Sequence, residues 1–251
     1  MSESERKVVL ITGSATGVGR ACAVKFASIG FDVVVNYPGA DEAEANETVR
    51  LVEARGVNVL LSRCDVSRDD EVVAMLAATE KAFGHLDVLV NAAGATAFVK
   101  YEDLHGLSEE QWDSILAVNT KGPFFVTRAA VPLLKGRKGA AVVNVSSVAG
   151  ISGFGSSIAY CASKGALNTL TKSLARALAP EIRVNAVCPG PIDSRWLRQE
   201  MSEEEISDRV SSFPIPRLSL PEDIADTVAY LAVGTAMTTG QLMVVDGGRT
   251  M

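Results

Sequence analysis

Cysteine is scarce and scattered in this sequence: Cys22, Cys64, Cys161 and Cys188 stand far apart, with no CxxC pair. That spacing argues against a disulfide framework and against a structural zinc site, so all four read as small core residues. Histidine is rarer still, with only His85 and His105. His85 falls at a helix-to-strand turn and His105 in a polar loop. Neither has an acidic or cysteine neighbour at ligand spacing, so both read as solvated or capping residues, and no metal is expected. Positive charge is not in excess, since 24 Lys and Arg face 30 Asp and Glu for a net charge of −6. The one short basic run, at residues 135–138, is a turn, so a nucleic-acid partner is not expected. No apolar stretch is long and uncharged enough to cross a bilayer, and the charged residues 1–7 lead straight into a strand-like run without the apolar core of a signal peptide. The expectation is a cytoplasmic protein with no membrane partner.

What is present is a regular alternation. Short Val-rich apolar runs at 8–12, 33–36, 57–64, 86–91, 141–146, 183–188 and 242–246 read as strands buried on both faces. Amphipathic segments at 18–29, 43–54, 70–83, 112–134, 159–178 and 222–232 read as helices between them. Ser108 with Gln111 has the spacing of a capping box, and Pro221 followed by Glu222 and Asp223 marks a helix start. With no repeat or low-complexity linker, residues 1–251 read as a single α/β domain. It is a doubly wound Rossmann-type fold with a seven-stranded parallel sheet and helices on both faces. The polar, proline-bounded stretch within 193–217 is the candidate substrate lid, because ligands of such sheets bind beyond the carboxyl ends of the strands.

The first strand runs into Thr12-Gly13-Ser14-Ala15-Thr16-Gly17-Val18-Gly19 and then into a helix. Glycines at such a turn let the backbone approach a pyrophosphate, and the helix start offers unpaired N–H groups and a positive dipole end. Taken alone, the same glycines also fit simple helix–strand packing. The second strand ends in Asn36-Tyr37-Pro38. An acidic residue there would bond the ribose 2′-hydroxyl of NAD and repel a 2′-phosphate. None is present, which favours NADP(H) over NAD(H), with Arg20 the nearest basic residue of the glycine region.

Tyr160 and Lys164 are four apart and share one helix face. An ammonium beside a phenol favours the phenolate, lowering the Tyr pKa toward a range useful for proton exchange with a carbonyl or alcohol. A YxxxK pair alone carries little weight, but Ser146 and Ser147 close a strand just upstream. A hydroxyl there can hold a developing oxyanion. Strand alternation points the two serines in opposite directions, and Ser147 is the one expected to face the cleft.

This combination resembles the short-chain dehydrogenase/reductase family over residues 8–248. TGxxxGxG falls on residues 12–19, and the Ser and YxxxK motifs fall on Ser147, Tyr160 and Lys164. The resemblance implies an adenine contact at Asp65 with Val66, and the family's NNAG turn at Asn91, Ala92, Ala93 and Gly94, where Ala92 replaces an Asn. It also implies a tetrad Asn at Asn119 beside Val118, and a PGxIxT stretch at Pro189, Gly190, Ile192 and Ser194, with Ser in place of Thr. The implied catalytic residues are Asn119, Ser147, Tyr160 and Lys164. In reduction Tyr160 donates the proton, Ser147 holds the oxygen, Lys164 bonds the nicotinamide ribose and Asn119 anchors a proton-relaying water. The stretches 213–225 and 239–248 are similar to the branch containing β-ketoacyl carrier-protein reductases, which implies a homotetramer with the last strand in an interface. Pro216 and Ser219 stand where that branch commonly has Gly.

The expected activity is interconversion of a small-molecule carbonyl and a secondary alcohol by an NAD(P)(H)-dependent enzyme. The alternatives are an inert dinucleotide-binding sensor or scaffold, and a redox-neutral dehydratase or epimerase on the same site. Trp112 reads as a core residue by its spacing with Ile115 and Leu116, and residues 203–205 as the solvated first turn of a lid helix after Ser202. Trp196 is open between lid packing and substrate contact. Phe98, Val99 and Tyr101 are equally open between lining a pocket and packing under a loop.

Overall fold

A computed structural model describes residues 6–251, apart from the Trp196 side chain; the opening residues and the question raised by Trp196 lie outside what is described. The chain runs β1 (Val8–Thr12), α1 (Gly17–Ser28), β2 (Asp32–Tyr37), α2 (Glu42–Glu53), β3 (Val59–Arg63), α3 (Asp69–Phe83), β4 (Val88–Asn91) and α4 (Glu109–Leu116). A π-helical turn over Ala117–Lys121 leads into α5 (Gly122–Leu134), β5 (Ala141–Val145), the single turn α6 (Ala149–Ser152), α7 (Ile158–Leu178) and β6 (Arg183–Pro189). Then come α8 (Arg195–Glu200), α9 (Glu203–Ser211), α10 (Pro221–Ala229), a second π-helical turn (Tyr230–Gly234) and β7 (Leu242–Val245).

All seven strands pair in parallel in the order β3-β2-β1-β4-β5-β6-β7. Alternation along each strand divides the core in two. Val9, Ile11, Val33, Val35 and Val143 face the layer of α1, α2 and α10, where Phe26, Val52 and Ile224 pack. Val8, Leu10, Val34, Leu89 and Val142 face α3, α5 and α7 through Met75, Leu134 and Ala175. Burying a side chain the size of Phe26 contributes roughly 2–3 kcal/mol, and both faces need it, which is why these strands are apolar throughout.

Local chemistry fixes the helix ends. Ser108 and Gln111 form a reciprocal capping box at α4, and Ser202 and Glu205 form one at α9, so the acidic run 203–205 is a solvated first turn as expected. Gly84 ends α3 in a left-handed conformation. The segment expected as one helix over 112–134 is instead α4 and α5 joined by the π turn, because an extra residue in the ladder brings Asn119 inward, fully buried. The expected helix 222–232 likewise ends early, at Ala229, in a π turn.

At single positions the outcome is mixed. All four cysteines are free and buried. His85, expected to be solvated or capping, is buried, with Nδ1 2.9 Å from the carbonyl of Phe83, the last residue of α3, and Nε2 3.3 Å from Asp87 Oδ2. His105 is exposed. Trp112 is not in the core: it is half-buried and lines a side cavity of about 150 Å³ with Val99, Leu104, Leu107 and Ile158. No helix of the described residues is long and apolar enough to cross a membrane.

Candidate active site

The order of strands reverses between β1 and β4, so their carboxyl ends open a crevice where no crossover helix blocks access. A cleft of roughly 1060 Å³ follows it from Gly13 and Thr16, past Ser147 and Tyr160, to Met201 between α8 and α9. Its size is at the upper end for small-molecule sites.

At the glycine turn, the three glycines do different work. A Cβ on Gly13 would lie 2.7 Å from Ala93 Cα, and one on Gly19 would lie 2.2 Å from the Gly13 carbonyl oxygen. Both therefore serve close packing of chain on chain. Gly17 alone faces open space, with nothing within 4 Å of its would-be Cβ and a φ of +54°. Thr16 stands at the N-cap of α1 but makes no side-chain cap, leaving the N–H groups of the first turn for a ligand. The turn thus fits a dinucleotide pyrophosphate at Gly17 and Val18.

Buried polar side chains lock this turn to the strands around it. Asn36 Oδ1 accepts from Gly13 N at 3.0 Å, while Nδ2 donates to the Cys64 carbonyl at 3.0 Å and the Ser62 carbonyl at 3.3 Å. Ser14 turns its hydroxyl inward, donating to the Ile11 carbonyl at 2.8 Å and accepting from Asn36 N at 2.9 Å. Thr12 Oγ1 accepts from both Ala92 N and Ala93 N at 3.1 Å, so the link from β1 to the β4 turn survives the replacement of Asn by Ala92. Asn91 Nδ2 donates to Asn144 Oδ1 at 2.8 Å, and Asn144 passes the chain to Thr171 at 2.9 Å. Asn91 Oδ1 is left buried without a partner among the described residues. Arg20 is not free to hold a phosphate. Its guanidinium donates to the Ala15 carbonyl at 2.5 Å, Thr48 Oγ1 at 2.9 Å and Glu44 Oε2 at 2.6 Å. Asp65 Oδ1 accepts from Ser67 N and Oγ, and Asp65, Val66 and Val118 line the cleft.

Ser157 caps α7 by accepting from Tyr160 N, which fixes the first turn carrying Tyr160 and puts Lys164 one turn on. Lys164 is buried; Nζ donates to the Val145 carbonyl at 2.9 Å and lies 5.6 Å from the Tyr160 ring centroid. Ser146 points inward, donating to Asn168 Oδ1 at 2.6 Å, whereas Ser147 is half-buried and lines the cleft with Tyr160, its Oγ accepting from Ala149 N at 3.1 Å. Asn119 Oδ1 accepts from Ala95 N at 2.8 Å, and its Nδ2 donates to the Ala95 carbonyl at 2.9 Å and Ser163 Oγ at 3.0 Å. The π turn is thereby tied both to the β4 loop and to α7.

The expected lowering of the Tyr160 pKa is not found. Burial pushes the phenol up to about 12, against the opposing pull of the Ser147 hydrogen bond. The same burial brings Lys164 down to about 8. Desolvation exceeds the ion–phenol attraction because the ammonium is spent on a carbonyl and sits off the ring rather than at the hydroxyl.

Beyond β6, Pro189, Gly190 and Ile192 line the cleft, and a Cβ on Gly190 would lie 2.7 Å from Asp246 Cβ. Ser194 uses its hydroxyl to cap α8, accepting from Leu197 N at 3.3 Å. Ser219 pairs with Ile192 in a short parallel bridge at the base of the α8–α9 segment. Phe98, Val99 and Tyr101 all line the cleft. Residues not anticipated from sequence are Asn144, Asn168 and Thr171, whose signal was a polar side chain within an apolar strand or on the strand-facing side of α7. No group of three His, Cys, Asp or Glu among the described residues is placed to hold a metal.

The family model described as Enoyl-(Acyl carrier protein) reductase matches residues 13–250. An uncharacterized oxidoreductase of Thermotoga maritima is 39% identical over 97% of each chain. A 3-oxoacyl-(acyl-carrier-protein) reductase of Staphylococcus aureus is 38% identical over 98% of each. The chain belongs to the short-chain dehydrogenase/reductase family. A solved structure from Burkholderia xenovorans, described as a member of that family, superposes with a TM-score of 0.91 at 36% identity over 98% of each chain. As a short-chain dehydrogenase/reductase, the protein is an oxidoreductase that interconverts a carbonyl and an alcohol with a nicotinamide dinucleotide.

Proposed function

We propose that this short-chain dehydrogenase/reductase is a cytoplasmic, NADP(H)-preferring enzyme whose proton chemistry runs through Tyr160, Ser147, Lys164 and Asn119. The observation that carries the reading is the Ser147–Tyr160 hydroxyl pair facing the cleft one helical turn from a buried Lys164. When bound, the dinucleotide supplies the hydride in reduction or accepts it in oxidation. Tyr160 gives its proton to the carbonyl oxygen, and a phenol held neutral by burial is the form that this donation requires. Ser147 donates to the same oxygen as charge builds on it. Lys164, with a pKa near 8, is mostly protonated at neutral pH, so its positive charge favours the tyrosinate left behind. Asn119 holds the Ala95 segment that walls the pocket and stations the water that returns a proton to Tyr160.

For the cofactor, Gly17 and Val18 with the uncapped start of α1 take the pyrophosphate, and Asp65 and Val66 the adenine. Ala92, Ala93 and Gly94 flank the ribose with Asn91 buried behind them, and Pro189, Gly190, Ile192 and Ser194 the carboxamide side. NADP(H) preference is supported by the absence of a carboxylate at 36–38 and by Arg63, whose guanidinium lies against Gly39 in the loop after β2. Arg63 therefore replaces Arg20 as the cation for a 2′-phosphate. The α8–α9 hairpin acts as the lid of a single-domain enzyme. The edge strand β7, with Val244 and Met237 exposed, supports assembly into a homotetramer.

Tyr160→Phe is expected to lower kcat by about 10³-fold or more across a ketone panel while NADPH affinity by calorimetry stays within about threefold. Retained turnover would remove Tyr160 as the donor. The same assay, followed by cofactor absorbance, tests the rest: a kcat/KM higher with NADH than with NADPH overturns the cofactor preference. Product formed without net cofactor consumption identifies an isomerase or dehydratase.

A further inference from the structure

Two guanidinium groups line the cleft with no carboxylate paired to either among the described residues. Arg209, on α9, is half-buried, and its side chain has a single hydrogen-bond acceptor among the described residues, Met201 Sδ at 3.3 Å. A thioether is a weak acceptor for a group with five N–H donors. Arg249, beyond β7, rests 5.8 Å from the ring centroids of both Phe154 and Phe213 and makes no side-chain hydrogen bond or ion pair among the described residues. Stacking engages the guanidinium face and leaves its N–H edge free. The two cations are near enough to repel: burial, with the charge of Arg249 adding to it, holds Arg209 below its ordinary range.

The outward arginines of the same region behave otherwise. Arg198 is bonded to Asp193 and Glu203, and Arg217 to Asp223 in a two-pronged pair. Arg195, at the cofactor side of the cleft, lies 3.5 Å from Asp41. Glu200 and Lys100 also line the cleft, and neither pairs with Arg209 or Arg249. The unpaired cations are therefore those that face the substrate. Contacts connect them to the reacting end: Phe154 stacks on Tyr101 at 5.4 Å, and the Tyr101 hydroxyl lies 3.1 Å from Cys161 Sγ, next in sequence to Tyr160.

We propose that Arg209 and Arg249 bind an anionic group of the substrate, a carboxylate or a phosphate monoester, held apart from the carbonyl that meets Tyr160 and Ser147. The enzyme then selects anionic oxo and hydroxy compounds over their neutral counterparts. A bidentate acceptor satisfies both guanidinium edges and cancels their repulsion. Because one arginine belongs to the lid and the other to the C-terminal segment, the same anion draws the lid shut over the reacting carbon. This deepens the function proposed above and rests on its assignment of the reacting end.

The test uses the NADPH-loaded enzyme and straight-chain ketones that end in a carboxylate, the methyl ester of that carboxylate, or a phosphate monoester at matched length. Turnover is read as kcat/KM, and binding by calorimetric titration. At least one anion is expected to exceed its matched neutral ester by tenfold or more, with the advantage shrinking as salt rises. Carboxylate ahead of phosphate, or the reverse, identifies the group. Arg249→Gln and Arg209→Gln, on separate elements, should each reduce the anion-to-ester ratio about tenfold, and Arg249→Lys should retain part of it. No preference for anions in turnover or in titration overturns the proposal, as do variants that weaken anion and ester in equal proportion. In Tyr160→Phe the acid should still bind although turnover is lost. An active Tyr160→Phe would overturn the chemical assignment while leaving the anion ratio to stand on its own.

Discussion

The two halves of the cleft are built by different means. On the cofactor side, Thr12, Ser14, Asn36, Asn91 and Asn144 join four strands through buried hydrogen bonds, and glycine carbonyls pack where a methyl group would collide. On the lid side, α8 and α9 close over a small core of Ile206, Val210, Phe213 and Leu218, with further ties from the Ile192–Ser219 bridge and from ion pairs of Arg195 with Asp41 and of Arg198 with Asp193 and Glu203. Buried hydrogen-bonded networks open only with the whole fold, whereas few apolar contacts and screened surface charges let a segment open by itself. The cofactor side is therefore preformed and the substrate side adjustable.

The strongest way to break this contrast is Gly19→Ala. Its Cβ would sit 2.2 Å from the Gly13 carbonyl oxygen, with backbone rather than a flexible side chain in the way. A global loss of about 3 kcal/mol or more is expected, together with loss of dinucleotide binding. Thermal unfolding within a few degrees of the parent would show that the turn is less rigid than its contacts require.

An intermediate effect lies at the boundary of the two halves. Lys164 is brought down to about 8 from its ordinary 10.5, so between those values the unfolded chain binds more protons than the folded one, and stability rises with pH. Tyr160 is raised from 10 to about 12 and acts in the opposite sense, lowering stability as pH climbs through that window. The buried Cys22, Cys64 and Cys188 thiols, raised from 9 to about 12, 12 and 11, act in the same sense as Tyr160 from pH 9 upward, so denaturant unfolding of the cofactor-free protein should strengthen from about pH 8 to 9 and then decline. Lys164→Met should remove the rise; a rise that persists would place its origin elsewhere.

The smallest global effect is expected in the lid. Ile206→Ala removes a buried side chain from a cluster of four, a change worth about 2 kcal/mol. That loss should appear as faster hydrogen exchange across α8 and α9 and a higher KM, with Tm nearly unchanged. A Tm drop matching a core substitution would join the lid to the main fold and dissolve the distinction.

Much of the architecture was legible because parallel strands buried on both faces have to be apolar throughout, and Val8 to Thr12 or Ala141 to Val145 have no other reading. Ser147 was separable from Ser146 by strand alternation alone. What escaped the sequence depended on longer-range geometry. The π turn at Asn119 is invisible to a 3.6-residue period, since one added residue changes the ladder without changing the composition. Burial of His85 depends on the Arg6 carbonyl, 79 residues away in sequence. The Tyr160 pKa was misjudged because spacing reports how near a charge is and says nothing of how much water has left.

The central position of β1 also bears on how the chain reaches this fold. Its edges are completed by β2 and by β4, and Thr12 closes the second junction across 80 residues. During synthesis, at about 5–20 residues per second, β1 spends seconds with one apolar edge uncovered before β4 is made. The nascent chain is then most open to strand exchange and to chaperones, and the crevice that receives the dinucleotide does not exist until that junction forms. A chain rearranged so that β4 precedes β1, with the old ends joined, would put more chain between the two strands and close the site later in its synthesis.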